Sequence, residues 1–182
     1  TMTLRSVTGY LDTALDITSA PGASFFRDDE RQDSDLTQEL RLEINEGNNG
    51  LSGAAGIFYG SFEGETDTLI TFSDFLIQEG TTANETESWA LYADFRYGFS
   101  NGVSLLFGGR FLDDTVTQRG SLQTFGGPVD IYQETDFQEF LPKAGIAYAL
   151  TENQNLAFTV NKGYRQGFAT TRTGQAEIFD VD

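Results

Sequence analysis

The stretch WALYADFRYGF, residues 89–99, alternates apolar and polar side chains along its whole length. One set of alternate positions carries apolar residues, namely Trp89, Leu91, Ala93, Phe95, Tyr97 and Phe99. The other set carries mostly small or polar residues, namely Ala90, Tyr92, Asp94, Arg96 and Gly98. Because successive side chains of a β-strand point to opposite faces of a sheet, this stretch predicts a strand with one apolar and one polar face.

The same period of two recurs along most of the chain. The predicted strands are residues 3–16, 36–45, 51–63, 87–99, 103–118, 136–150 and 155–168. The chain is rich in glycine and phenylalanine, with 20 and 16 residues, and it contains few runs that favour a helix. These features predict an all-β protein.

The connections between these segments alternate between short and long. Three short ones are rich in turn residues: NEGNNG at 45–50, SNG at 100–102 and TENQ at 151–154. The long ones, residues 17–35, 64–86 and 119–135, are mostly polar, and only LITFSDFLI at 69–77 suggests local structure within them. This rhythm is typical of an antiparallel up-and-down transmembrane barrel, with short periplasmic turns and long extracellular loops.

Strand length and aromatic positions favour the same interpretation. Ten steps along a strand tilted by about 40° rise roughly 25 Å, the height of the apolar band of an outer-membrane barrel. Trp89 lies at one end of the stretch and Tyr97 and Phe99 at the other, as expected for two interfacial girdles. We expect Tyr148 in the periplasmic girdle and Tyr164 in the outer one.

Composition excludes several classes of function. The 28 Asp and Glu against 11 Lys and Arg give a net charge of −17, so nucleic acid is not an expected partner. The chain has no His and no Cys, and no pattern of catalytic, cofactor-binding or metal-ligating residues emerges, so we expect no enzyme activity and no cofactor. No apolar run is long enough for a membrane helix, and no signal-peptide pattern is present.

Charged residues supply the candidates for a site. Arg110, Lys143 and Arg165 are expected on the polar face, either contacting an anionic ligand or a plug, or pairing with carboxylates such as Glu39 or Asp94. A second candidate is an acidic loop region, which is expected to be solvated but is also suited to calcium, to a divalent bridge to lipopolysaccharide or to a cationic ligand. Its members are Glu63, Glu65, Asp67, Asp74, Glu79, Glu85 and Glu87.

Four stretches in order resemble the barrel of the TonB-dependent outer-membrane receptors. They are LRSVTGYLD at 4–12, DLTQELRLE followed by LSGAAGIFYGSFE at 35–63, the stretch 89–115, and FLPKAGIAYALTENQNLAFTVNKGYRQGF at 140–168. The last is similar to the commonest barrel signature of that family, with proline and lysine before one strand and glycine, aromatic and arginine closing the pair. The resemblance implies a barrel of about 22 strands with a plugged lumen.

The resemblance also implies a function in the Gram-negative outer membrane. Such receptors take up a scarce nutrient, such as a siderophore, vitamin or glycan, with an inner-membrane energy-coupling protein, and they contact lipid and lipopolysaccharide. Residues 1–182 show no plug domain, no energy-coupling box and no closing aromatic strand, so we expect a mid-barrel piece of a larger receptor. Two alternatives are a secreted β-sandwich that binds carbohydrate and a small self-contained outer-membrane barrel.

Overall fold

The computed structural model describes residues 1–19, 24–47, 50–73, 75–151, 153–163, 168–172 and 175–179. Seven strands form one antiparallel sheet in the order of the chain. They are β1 (Met2–Thr18), β2 (Phe25–Asn45), β3 (Gly50–Phe72), β4 (Phe75–Gly98), β5 (Val103–Thr124), β6 (Gly127–Thr151) and β7 (Gln154–Asn161). Two short strands, β8 (Phe168–Arg172) and β9 (Gln175–Phe179), pair with each other in a separate ribbon.

The sheet is an up-and-down meander, as the sequence predicts. Each strand from β1 to β7 is hydrogen-bonded to its sequence neighbours, so every connection is a hairpin. The turns predicted at 45–50, 100–102 and 151–154 join β2 to β3, β4 to β5 and β6 to β7. Gly102, at φ 81°, takes the left-handed conformation that such a tight turn needs and that glycine adopts without steric cost.

The prediction of long loops is wrong for most of residues 17–35, 64–86 and 119–135. Most of their described residues belong to strands, so β4 runs for 24 residues and β6 for 25. The chain turns from β3 to β4 near Ser73, inside the predicted LITFSDFLI element, and from β5 to β6 at residues 125–126. At about 3.3 Å per residue, a strand of this length measures roughly 80 Å, far more than the apolar band requires.

The physical reason for this error lies in the solvent on the two faces. Alternation appears in a sequence when one face contacts lipid or a core and the other contacts water. In the extended parts of β3 and β4, residues 64–68 and 78–86 are polar or small on both faces, and cross-strand pairs such as Thr66 opposite Thr82 maintain the pairing. We call residues 2–9, 36–62, 88–113 and 138–161 the banded region. The remaining strand residues of the seven-stranded sheet, 10–18, 25–35, 63–72, 75–87, 114–124 and 127–137, form the extension.

Register divides the sheet into two faces that remain distinct from β1 to β7. The face bearing Trp89, Leu91 and Phe107 is called the outer face, and the one bearing Tyr92, Asp94 and Arg110 the inner face. Most large exposed apolar side chains of the banded region lie on the outer face, with Val7 on the inner face as an exception. Those on the outer face include Leu36, Leu40, Ile57, Trp89, Leu91, Tyr97, Leu105, Phe107, Phe111, Phe140, Ile146, Tyr148, Leu156, Phe158 and Val160. The predicted inside and outside alternation is therefore confirmed.

Very little of this sheet is buried within the chain itself. Ala90, Leu112 and Ile131 are the buried apolar residues of the described part, and all three lie on the inner face. The described residues contain one seven-stranded sheet rather than two packed sheets, and β1 and β7 are not paired with each other. This architecture contradicts the sandwich alternative, and the sheet is not closed into a small barrel.

The seventh predicted strand, residues 155–168, is shorter in the structure. It ends at Asn161, and Tyr164 and Arg165 lie outside the described residues, so the expectations for them are not addressed. Within the described residues, no helix has the length and apolar character that crossing a bilayer demands.

Candidate functional site on the inner face

A recess of about 690 Å³ lies on the inner face of the banded region. Its wall is built from charged and aromatic side chains of β2 to β6, with Lys162 following β7. Strand alternation brings these residues to one face, because each occupies the set of positions opposite the apolar outer set. The principal polar members are Glu39, Arg41, Tyr92, Asp94, Arg110, Lys143 and Lys162.

Lys143 and Asp94 form an ion pair across the recess. The Lys143 ammonium lies 2.5 Å from the Asp94 carboxylate, although β5 runs between their strands. Gly108 occupies the intervening position of the same row, opposite both Asp94 and Lys143. Because glycine has no side chain, the lysine can cross β5 and reach the carboxylate. The predicted pairing of Lys143 with Asp94 is confirmed.

Glu39 is held by two other groups of the recess. The Tyr92 hydroxyl donates a hydrogen bond to the Glu39 carboxylate, and Arg41 lies 3.9 Å from the same carboxylate. Arg41 also lies 3.0 Å from Glu43, so two carboxylates flank one guanidinium. The charges of this part of the recess are therefore largely compensated within the sheet.

Arg110 does not follow the predicted pairing with a carboxylate. Its guanidinium carbon lies 5.7 Å from the centre of the Phe58 ring, a cation–π arrangement across β4. No ion pair to Arg110 is found among the described residues. Arg110 is exposed, so its charge is available to a group that enters the recess.

Lys162 adds a further positive charge at the edge of the recess. Its ammonium lies 2.5 Å from the Glu139 carboxylate on β6. Tyr92 was predicted on the polar face, but neither it nor Arg41 or Lys162 was predicted as a member of a site. The alternation around Arg96 and Arg110 places Tyr92 on the inner face, so that signal was available, whereas the reach of Lys162 depends on where β7 ends.

The outer face of the banded region is chemically uniform. Five successive rows of outer positions carry apolar or small side chains, from the row of Ile57, Leu91 and Phe111 to that of Val103 and Tyr148. Tyr59 and Trp89 pack against each other at 4.6 Å between ring centres at one border of this band. Tyr97 and Phe99 contact each other at 4.9 Å near the other border. The predicted arrangement of aromatic residues at both borders is confirmed.

The outer face of the extension is strongly acidic. Among the strand residues of the seven-stranded sheet, Arg119 is the only Lys or Arg on the outer face. The carboxylates on the outer face are Asp12, Asp16, Asp28, Glu30, Glu63, Glu65, Asp67, Glu79, Glu85, Glu87, Asp113, Asp130, Glu134 and Asp136, and all except Asp113, which lies opposite Trp89 at the border, belong to the extension. We call this set the outer acidic face.

Several of these carboxylates oppose one another directly. Glu30 lies between Asp16 and Asp67 in one row, and Glu63 lies opposite Glu85. Such like-charge pairs disfavour the sheet. Within the described residues no group of three or more His, Cys, Asp or Glu is arranged to hold a metal ion. The residues predicted as an acidic loop thus lie on strands, apart from Asp74, which lies outside the described residues.

Partial compensation of this charge comes from Arg119. Its guanidinium lies 3.9 Å from the Glu85 carboxylate, and its central carbon lies 6.0 Å from the centre of the Tyr132 ring. The Tyr132 hydroxyl donates a 2.9 Å hydrogen bond to Glu134. This bond, together with the negative charge of Glu134, raises the pKa of Tyr132, so the phenol stays protonated over the physiological range.

An antiparallel meander with an apolar outer band between aromatic borders and a polar inner face has the architecture of the wall of an outer-membrane β-barrel. The sequence of residues 2–179 matches the family described as TonB dependent receptor-like, beta-barrel. The chain therefore belongs to this family, and the resemblance noted in the sequence is confirmed.

A solved structure supports the fold. The chain is similar to the ferric yersiniabactin uptake receptor FyuA from Yersinia pestis, with a TM-score of 0.89 and 16% sequence identity. The match covers 98% of this chain and 28% of that receptor, so the chain spans well under half of its length. At this identity the likeness shows the fold alone. Among curated proteins, no sequence matches the chain significantly.

Proposed function

We propose that these residues form part of the barrel wall of a larger outer-membrane receptor that takes up a scarce nutrient in a Gram-negative bacterium. The observation that carries the proposal is the combination of family membership with a sheet whose outer face is apolar over one membrane thickness. Transport, rather than catalysis, suits an inner face on which ion pairs such as Lys143 with Asp94 are prominent. The siderophore, vitamin and glycan classes of ligand are all compatible with this general function.

The open sheet supports a place within a longer barrel. Among the described residues, β1 and β7 each have a partner on one side only, which leaves a row of backbone groups to be paired by further strands. In lipid, such groups must be satisfied within the protein, because no water is available in the bilayer core. We therefore propose further barrel strands on both sides, a plug within the lumen and coupling to an inner-membrane energy-transducing protein.

Lipid and lipopolysaccharide are the proposed partners of the outer face. The apolar rows are suited to acyl chains, and the Tyr59 and Trp89 pair to the headgroup level. The outer acidic face begins directly beyond that pair, at the height of the lipopolysaccharide phosphates if the extension points outward. Divalent cations between the carboxylates and these phosphates would relieve the repulsion on both sides.

The test is to express the gene product at its full encoded length in a Gram-negative host and to separate the two membranes. We expect the protein in the outer membrane, with a band on gels that shifts on boiling, as folded barrels show. Uptake of a bound ligand should stop when a protonophore collapses the inner-membrane potential. Recovery of the protein in the medium or periplasm, or uptake that is insensitive to the protonophore, would contradict the proposal.

A further inference from the structure

A second recess lies on the inner face, within the extension and beyond the banded region. Its volume is about 400 Å³, and it is lined by residues of β1 to β4. The inner-face members are Leu11, Thr13, Arg31, Asp33, Asp35, Phe62, Gly64, Thr66, Asn84 and Thr86. We name it the Gly64 recess. It is separate from the charged recess around Lys143, with which it shares no lining residue.

Two glycines on β3 shape the floor. Gly60, Phe62 and Gly64 occupy successive inner positions of that strand. A Cβ on Gly60 would lie 2.6 Å from the Phe62 ring, so the glycine allows the aromatic side chain to lie along the strand. A Cβ on Gly64 would lie 2.7 Å from Asp33 Oδ1, so this glycine leaves space for the neighbouring carboxylate.

Asp33 is held in a fixed orientation over this floor. The Arg31 Nε group donates to both of its carboxylate oxygens, at 3.0 and 2.8 Å. The hydrogen bond to Asp33 and the negative charge of Asp33 raise the pKa of Arg31, so the guanidinium stays charged. A planar carboxylate and a planar guanidinium fixed side by side present acceptors and donors to a neighbouring ligand without further ordering.

The remaining polar groups of the Gly64 recess are not used within the sheet. For Asp35, Asn84, Thr66 and Thr86, no side-chain hydrogen bond is found among the described residues. They stand on three adjacent strands around the Phe62 ring, with Asp35 opposite Phe62, and Phe62 opposite Thr86. The recess thus combines one aromatic surface with carboxylate, amide and hydroxyl groups, and Arg31 is its only basic residue against Asp33 and Asp35.

We propose that the Gly64 recess binds a neutral oligosaccharide, an inference that rests on the proposed uptake function and assigns its ligand class. Sugar hydroxyls both donate and accept, which suits carboxylate, amide and hydroxyl partners. The C–H face of a pyranose ring packs on an aromatic surface such as Phe62. An anionic ferric chelate is disfavoured, because the two carboxylates outnumber the one arginine and repel it.

The experiment uses the full-length protein purified from outer membranes and an array of neutral and acidic glycans, with ferric citrate as the anionic probe. We expect neutral glycans to bind and ferric citrate not to compete. Titration calorimetry with the best glycan should show binding weakened about 10- to 100-fold by Asn84→Ala and by Asp35→Ala.

The matched control is Ser34→Ala. Ser34 follows Asp33 and precedes Asp35, but its side chain lies on the outer face, so this change should leave the affinity within about twofold. Gel shift on boiling verifies the folding of each variant. The inference is overturned if no glycan binds, if Asn84→Ala and Asp35→Ala both bind as the parent does, or if ferric citrate binds and loses affinity with these changes.

These outcomes separate the inference from the proposed function. If the receptor is located in the outer membrane and takes up ferric citrate by an energy-dependent route, the proposed uptake function stands and the proposed binding of an oligosaccharide is contradicted. A protein that is absent from the outer membrane refutes the proposed function itself, whatever the array shows.

Discussion

The strands of this sheet pass through two regions that share a backbone pattern but differ in what the outer face meets. Between Trp89 and Tyr97 the outer positions of β4 are apolar, whereas between Glu79 and Glu87 they are acidic or small. Hydrogen bonding continues without interruption from one region to the other. Strand formation therefore depends here on cross-strand pairing, while the side chains of the outer face determine which solvent each region accepts.

The largest expected effect comes from placing a charge on the outer face of the banded region. Phe158 and Thr159 are neighbours on β7 and both are exposed, but Phe158 lies on the outer face and Thr159 on the inner. Phe158→Arg should lower the unfolding free energy by roughly 2–4 kcal/mol and reduce assembly, because arginine is costly on the lipid face.

Thr159→Arg serves as the control for this prediction. The inner position meets a polar environment, so we expect nearly normal assembly, measured as the heat-shifted fraction in outer membranes. Equal loss of assembly in both variants would contradict the assignment of the two faces.

An intermediate effect is expected where strands approach closely beneath the Lys143 and Asp94 pair. A Cβ on Gly108 would lie 2.3 Å from the carbonyl oxygen of Ala93, a backbone atom that cannot rotate away. Gly108→Ala should therefore destabilise the full-length protein in lipid vesicles by about 1–3 kcal/mol, measured by denaturant unfolding.

Gly163→Ala is the matched change at a position where a Cβ meets no atom of the described residues within 4 Å. Its effect should be within about 0.5 kcal/mol. If the two alanine variants unfold at the same denaturant concentration, the close approach of β4 and β5 at Gly108 is not present in the membrane.

The smallest effect concerns the outer acidic face. Glu30 lies opposite Asp16 on one side and Asp67 on the other, so Glu30→Gln removes two like-charge contacts. Without divalent cations we expect the variant to be stabilised by about 0.2–1 kcal/mol in denaturant unfolding, and the gain should shrink when magnesium is added. A destabilised variant in both conditions would argue against repulsion in this row.

The comparison of the two regions also explains which parts were predictable from sequence. The alternation from Trp89 to Phe99 could be recognised in the sequence because one face contacts lipid and needs apolar side chains, whereas the other faces a polar interior. In residues 64–68 and 78–86 both faces are polar or small, so the period of two disappears although the strands continue. The pairing of β3 with β4 in these residues continues the register of the banded region, and the local sequence contains no pattern that predicts it.

The candidate sites were predictable to a similarly limited degree. The pairing of Lys143 with Asp94 was one of the expected outcomes, since both residues alternate onto the polar face. That Arg110 stacks on Phe58 instead of pairing with Glu39 depends on which strands are neighbours and on their stagger. The Gly64 recess has a signal in GSFEG at 60–64, where glycine, phenylalanine and glycine share one face, but its partners on β2 and β4 come from register alone.

The most direct test of the two-region account is a cysteine scan of residues 79–97 with spin labels in the full-length protein reconstituted in lipid. The 182 residues contain no Cys, so a label within them reports one position. Accessibility to oxygen, which concentrates in lipid, should alternate from 91 to 97, high at Leu91, Ala93 and Phe95 and low at Tyr92 and Asp94. From 79 to 87, a water-soluble nickel complex should reach the labels on the outer face as well. Oxygen alternation that continues through 79–87, or is missing from 91–97, would contradict the account.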